Sequence, residues 1–128
     1  MAYEIPLFKH SFVAGGDLTT SQFKIVKLNS SGEVVVCTAI ADKPIGILQN
    51  NPASGGMAEV MIAGISKVVG QGDLAKGALV ATHTNGNAIV YTPAVTTSCM
   101  IGQVLNDNTA TGGLATIAFS CFNAISLA

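Results

Sequence analysis

The residues that could carry out catalysis in this chain are few and far apart. His10 and His83 are the only histidines, and neither lies in a recognisable catalytic motif. A nucleophile needs a base within hydrogen-bond reach and a third group that orients the base. His83 precedes Asn85-Gly86, so an exposed turn position is its simpler interpretation. We therefore predict no catalytic residues and no enzymatic activity.

The acidic residues do not form the groups that metal binding or acid-base catalysis requires. Asp17 and Asp73 both occur in Gly-Asp-Leu, but each stands alone, whereas calcium takes six to eight oxygen ligands. We expect both to accept a backbone N–H in a turn, and we predict no metal site. Gly70-Gln71-Gly72 lacks the Lys-Ser/Thr ending of a phosphate loop, so no cofactor is predicted. The remaining acids are scattered along the chain: Glu4, Glu33, Asp42, Glu59 and Asp107.

Three cysteines, Cys37, Cys99 and Cys121, are widely spaced and include no Cys-x-x-Cys pair. An odd number without such a pair indicates neither a disulfide framework nor a zinc site. All three lie in apolar, strand-like runs. We therefore predict that they are unreactive thiols in the core.

The composition excludes two classes of partner. All six basic residues are lysines in no cluster, which argues against nucleic-acid binding because arginine supplies the planar fork used on phosphates and guanine. No run reaches the roughly 18–20 apolar residues of a spanning helix, so we predict no membrane insertion. Residues 1–10 lack a signal-peptide pattern, and we expect synthesis in the cytoplasm.

The 128 residues are nevertheless unusually apolar for a single domain. Only 10% are charged and 49% are hydrophobic, with a mean hydropathy of +0.53, whereas an average soluble domain is about 25% charged. We expect something other than water to cover part of the surface.

Turn residues punctuate the chain at short, regular intervals and leave brief apolar runs between them, a pattern typical of an all-β sandwich or barrel. No segment has a sustained helical period. Asn85-Gly86 is the strongest hairpin turn, because both residues tolerate the positive φ of a type I′ turn. The predicted strands are residues 11–14, 23–28, 33–38, 45–49, 58–63, 65–69, 78–82, 88–92, 100–105, 115–119 and 122–126.

The pattern of turns and aliphatic residues in the first half of the chain recurs in the second half. Residues 12–18 resemble residues 68–74 at an offset of 56, and the turn glycine Gly32 corresponds to Gly86 at an offset of 54. Two such units suit a half-domain that closes on its copy, whereas a solenoid needs three or more. We predict one compact, single-domain β-sandwich or barrel-like fold, residues 11–128, built from similar halves at about 11–65 and 67–122. Residues 1–10 have no counterpart, and we predict that they form an extended N-terminal arm.

Several motifs support a resemblance to a known family over residues 11–120. In chain order they are Phe23-Lys24-Ile25-Val26-Lys27-Leu28, Val34-Val35-Val36, Pro44-Ile45-Gly46-Ile47-Leu48-Gln49-Asn50, Pro52-Ala53, Gly55-Gly56, Val60 with Ile62, Gly64-Ile65-Ser66-Lys67-Val68-Val69 and Gly77-Ala78-Leu79-Val80. Together they resemble the head-decoration, or cement, proteins of tailed bacteriophages. The resemblance implies a β-rich homotrimer that binds the major capsid protein on the outer surface of the mature head and stabilises the lattice.

In this interpretation the arm is the capsid-binding segment. It would add extended backbone to a sheet edge and place Tyr3, Ile5, Leu7 and Phe8 in apolar grooves. The alternative is a carbohydrate- or receptor-binding β module of a phage fibre or spike. Such a module would need exposed aromatic platforms, and Tyr3 and Tyr91 with no tryptophan offer few.

Overall fold

A computed structural model describes residues 4–91, 99–108, 110–121 and 125–126. The described residues form ten β-strands and contain no helix, and therefore none that could span a bilayer. The fold is all-β, as predicted. The strands are β1 (Ile5–Val13), β2 (Ile25–Leu28), β3 (Val34–Val36), β4 (Gly46–Leu48), β5 (Met57–Val69), β6 (Leu79–Thr82), β7 (Ala88–Val90), β8 (Cys99–Asn106), β9 (Leu114–Ser120) and β10 (Ile125–Ser126).

All ten strands belong to one barrel-like antiparallel sheet. Eight of them follow the order β3-β2-β4-β5-β9-β8-β6-β7, while β1 pairs with β5 and β10 pairs with β8. The last four strands of this order are the counterparts of the first four in reverse order, and β5 continues from the first half into the second. The long strands β5 and β9 pair at the centre, from Ala63–Ser120 to Val69–Leu114.

The hairpins β2–β3 and β6–β7 pair their strands in the same register. Val26 lies opposite Val36 in β2 and β3, and Val80 lies opposite Val90 in β6 and β7. The glycines that close these hairpins, Gly32 and Gly86, have φ values of 78° and 79°. The predicted Asn85-Gly86 hairpin is confirmed, but its turn is not type I′, because Gly86 has a positive φ and Asn85 does not. β2 and β3 correspond residue by residue to β6 and β7 at the same sequence offset as the two glycines.

Buried apolar residues form two clusters, one within the first half and one that includes residues of both halves. The smaller cluster lies within the first half and includes Leu18, Val26 and Val60. The larger cluster contains residues of both halves, among them Ile47 and Ile117. The halves therefore share a core and are not separate hydrophobic units.

Two strand predictions were wrong in detail. The prediction ended one strand before Gly64 and began another after it, but β5 continues through this glycine at a φ of 136°. The first strand begins at Ile5 and not at residue 11. Residues 5–10 of the predicted arm are thus paired with β5 in this chain, and their role in capsid binding stays a prediction. Of the predicted strand at residues 122–126, residues 122–124 lie outside the described part.

Candidate functional site

Strand β1 presents large apolar side chains to solvent. Ile5, Leu7 and Phe8 are 56%, 69% and 53% exposed, and Met57 on the neighbouring strand β5 is 58% exposed. Three of the four predicted capsid-binding residues therefore lie together on one strand, and the fourth, Tyr3, lies outside the described residues. A concentration of exposed apolar residues marks an interaction surface more often than scattered single residues do.

The pairing of β1 explains why it is exposed. It runs antiparallel to β5 from Ile5–Ile65 to Val13–Met57, with register shifts on either side of Phe8. From Ile5 to Ser11 every residue is exposed, so neither face of this stretch is covered. In contrast, Val60 and Met61, which lie opposite this stretch on β5, are at most 1% exposed. β1 is thus an exposed edge strand, because β4 and β9 pair with the opposite edge of β5.

A shallow polar groove of about 350 Å³ lies between β1 and β5 and is lined by Lys9, His10, Ser11 and Glu59. Lys9 and Glu59 form an ion pair, and both side chains are about 40% exposed. The His10 ring packs edge-on against Phe12, with 4.8 Å between the ring centroids. This groove therefore contributes charge and hydrogen-bonding groups next to the apolar side chains.

The other groups considered for chemistry have structural roles in the described part of the chain. Asp17 accepts the Thr19 N–H at 3.1 Å, the turn geometry expected of it, and hydrogen bonding to Thr19 lowers the pKa of its carboxyl. His83 Nδ1 lies 3.2 Å from Thr84 Oγ1, beside the hairpin turn. Among the described residues, no group of three or more His, Cys, Asp or Glu side chains could hold a metal ion.

The three cysteines lie near one another although they are distant in sequence. Cys37 and Cys99 are buried, and Cys121 is partly buried against the larger core cluster. The pKa of both Cys37 and Cys121 is raised to about 12, mainly by burial and to a smaller extent by Cys99. A thiol is reactive as its thiolate, so these two side chains are in an environment that disfavours reaction.

A second apolar surface begins on β9, two strands from β1 across β5, and the sequence interpretation missed it. A groove of about 370 Å³ crosses β6, β8 and β9 and is lined mainly by apolar residues, including Leu79, Met100, Ala118 and Phe119. Leu79 is 42% exposed, as is Val90 on β7. The only sequence signal for this surface is that Leu79 aligns with Ile25, and Val90 with Val36, between the two halves.

No family model and no curated protein matches this chain. Among solved structures, the chain is similar to one described as the head fiber gp8.5 N base in bacteriophage phi29. The similarity covers 89% of this chain and 94% of that chain, with a TM-score of 0.61 and 16% sequence identity. At this identity, the likeness establishes a shared all-β fold over nearly the whole length of both chains.

Proposed function

We propose that this protein is a structural component of a tailed-phage virion that binds the outer surface of the mature capsid. In this role it is made in the bacterial cytoplasm, assembles as a homotrimer and has the major capsid protein as its partner. It uses no cofactor and performs no catalysis. The observation that carries the proposal is the exposed strand β1, with Ile5, Leu7 and Phe8 at 53–69% exposure.

The chemistry of β1 fits a protein partner. Its apolar side chains supply the area that drives association, and an edge strand offers backbone groups for pairing with an extended segment. The ion pair of Lys9 with Glu59 lies nearby and supplies a polar rim. Many copies bound to the expanded lattice and not to its precursor would stabilise it by mass action. The fold shared with a phage head-fibre base agrees with a virion role.

A second candidate is a β module of a phage fibre or spike that binds carbohydrate or a receptor. The description of the similar structure as part of a head fiber favours keeping this candidate. Its weakness is chemical, because sugar recognition favours exposed aromatic rings. Phe8 is the one phenylalanine or tyrosine side chain at least half exposed among the described residues.

The test is co-sedimentation of the protein with mature phage heads that lack it. Leu7→Glu places a charge at the most exposed apolar position of β1, and we expect it to weaken binding at least about tenfold. Leu114→Glu is the matched control, because Leu114 is an exposed leucine on β9, and it should bind normally.

Two results would contradict the proposal. One is a wild-type protein that does not bind mature heads, and the other is a Leu7→Glu variant that binds as tightly as wild type. Binding on a glycan array by a protein that ignores the heads would favour the fibre or spike module.

A further inference from the structure

Equivalent rows of side chains in the two halves differ sharply in exposure. In the first half, Ile25 on β2, Ile47 on β4 and Met61 on β5 lie opposite one another and form one row across the sheet. The second-half row occupies the same pairing positions on β6, β8 and β9, and consists of Leu79, Gln103 and Ala118. The first row is at most 1% exposed. In the second row Leu79 is 42% exposed and Gln103 is also exposed.

The first row is buried because the second half of the chain packs on it. The turn between β6 and β7 docks beside this row: Ile25 N–H donates to Gly86 O at 2.8 Å, and Lys24 Nζ donates to Asn85 O at 3.3 Å. A Cβ on Gly86 would lie 2.4 Å from Val36 Cγ1, so the approach is very close. The contact leaves no room for a side chain at position 86.

The C-terminal part of β5 continues this contact. Val69 N–H donates to Phe23 O at 3.0 Å, and Lys67 Nζ lies 5.2 Å from the centre of the Phe23 ring. Gln49 Nε2 donates to Ser66 Oγ at 3.0 Å, although Ser66 is itself completely buried. The half-to-half interface therefore has two parts, a hairpin turn and a strand.

The first half carries the same two parts, but they contact no equivalent row among the residues that the structure describes. The turn at residues 30–32 is exposed, and a Cβ on Gly32 would meet no atom within 4 Å. At the offset of 56, residues 10–13 of β1 correspond to residues 66–69 of β5, and Val13 is 41% exposed. The chain thus has a docking turn and strand in its first half and an uncovered row in its second half.

We infer that a second copy of this chain covers the Leu79–Gln103–Ala118 row with its residues 30–32 turn and the end of its β1. The contact repeats between chains the packing that joins the halves within a chain. Leu79, Val90 and Leu105, which are 38–42% exposed, would then be covered. The groove of about 370 Å³ along this row is where the partner copy docks. Gln103 replaces the buried Ile47, so the contact between copies is more polar than the contact within a chain.

This contact is head-to-tail, because the docking parts and the uncovered row are different surfaces. Such heterologous contacts generate closed rings when the rotation between copies closes. We expect a closed oligomer of more than two copies in solution. This inference rests on the homotrimer of the proposed function and names its contact. Its test needs no capsid, so a failure to self-associate is distinguishable from a failure to bind heads.

Two pairs of matched variants test the contact by sedimentation and native mass. Ser31→Arg enlarges the docking turn, and its control is Ser54→Arg, another exposed serine that precedes a glycine of positive φ. Leu79→Lys places a charge in the Leu79–Gln103–Ala118 row, which we call the receiving row. Its control is Leu114→Lys, at the same 42% exposure. Each test variant should raise the dissociation constant at least about tenfold, and each control should match wild type.

Mixing the two test variants gives a sharper result. Ser31→Arg copies retain an intact receiving row, and Leu79→Lys copies retain an intact turn, so together they can form one contact. The mixture should therefore stop at a one-to-one dimer. A monomeric wild type, controls that dissociate as readily as the test variants, or a mixture with no dimer would overturn the inference. Circular dichroism of each variant would identify any that fails to fold.

Discussion

The Asp42 carboxylate holds the loop that follows β3. Its Oδ2 accepts the N–H groups of Thr38 and Ala39 at 2.8 and 3.0 Å and pairs with Lys27 Nζ at 2.9 Å. Burial by itself would raise the pKa of this carboxyl, but these hydrogen bonds and the lysine hold it below its ordinary value. With a side chain only 17% exposed, Asp42 is protected from much of the solvent screening that weakens surface ion pairs.

Asp42→Asn should lower the free energy of unfolding by about 1 kcal/mol near neutral pH, because the amide keeps an acceptor oxygen but loses the charge. Because the pKa of Asp42 is lower in the folded protein than in the unfolded chain, its carboxylate stabilises the fold fully at pH values above the unfolded pKa of about 3.9. This stabilisation is lost as the pH falls through the pKa of the folded state. When urea denaturation is measured from pH 7 downward, the free energies of unfolding of wild type and Asp42→Asn should therefore converge. Asp73→Asn, at an exposed aspartate, is the control. A constant difference at all pH values would contradict the electrostatic account.

At the scale of elements, the sequence predicts strands best where turn chemistry bounds them. Asn85-Gly86 predicts its hairpin correctly but not its turn type, because Gly86 adopts a positive φ and Asn85 does not. Gly64 led to a wrong prediction, because a glycine within an apolar run suggests the end of a strand. In the structure it lies inside β5 with a φ of 136°, which a residue with a side chain rarely adopts. Exposed apolar surfaces are harder to predict from the sequence. Ile25 and Leu79 are both aliphatic residues at equivalent positions, yet Ile25 is buried and Leu79 is exposed. Their burial depends on whether another half packs on them, and pattern alone does not contain that information.

Gly64 permits β1 to approach β5. Its φ is 136°, and a Cβ there would lie 2.6 Å from Ile5 O and 2.7 Å from Leu7 N. Gly64→Ala should therefore push the start of β1 away, lower the free energy of unfolding by about 1–3 kcal/mol and speed hydrogen exchange in residues 5–8.

Gly16→Ala is the control, because a Cβ at Gly16 would meet no atom within 4 Å. It should change stability by no more than about 0.5 kcal/mol. Unchanged exchange at the start of β1 in Gly64→Ala would show that this glycine does not control the pairing.

At the scale of the whole molecule, the halves are joined too closely to fold independently. β5 belongs to both, since it pairs with β1 and β4 of the first half and with β9 of the second. The larger core cluster also takes residues from each half. Loss of either half would expose apolar residues of the other, which favours cooperative unfolding.

We therefore expect one unfolding transition, and a core mutation in the first half should shift signals from the second half equally. Val60 is completely buried in the smaller cluster, and Val60→Ala should cost about 2–3 kcal/mol. In a Tyr3→Phe background, Tyr91 is the single tyrosine and reports on the second half. Its fluorescence midpoint in urea should move with the circular dichroism midpoint at one fixed protein concentration. A Tyr91 midpoint that stays at its unmutated value would mean that the halves unfold separately, despite the strand and core they share.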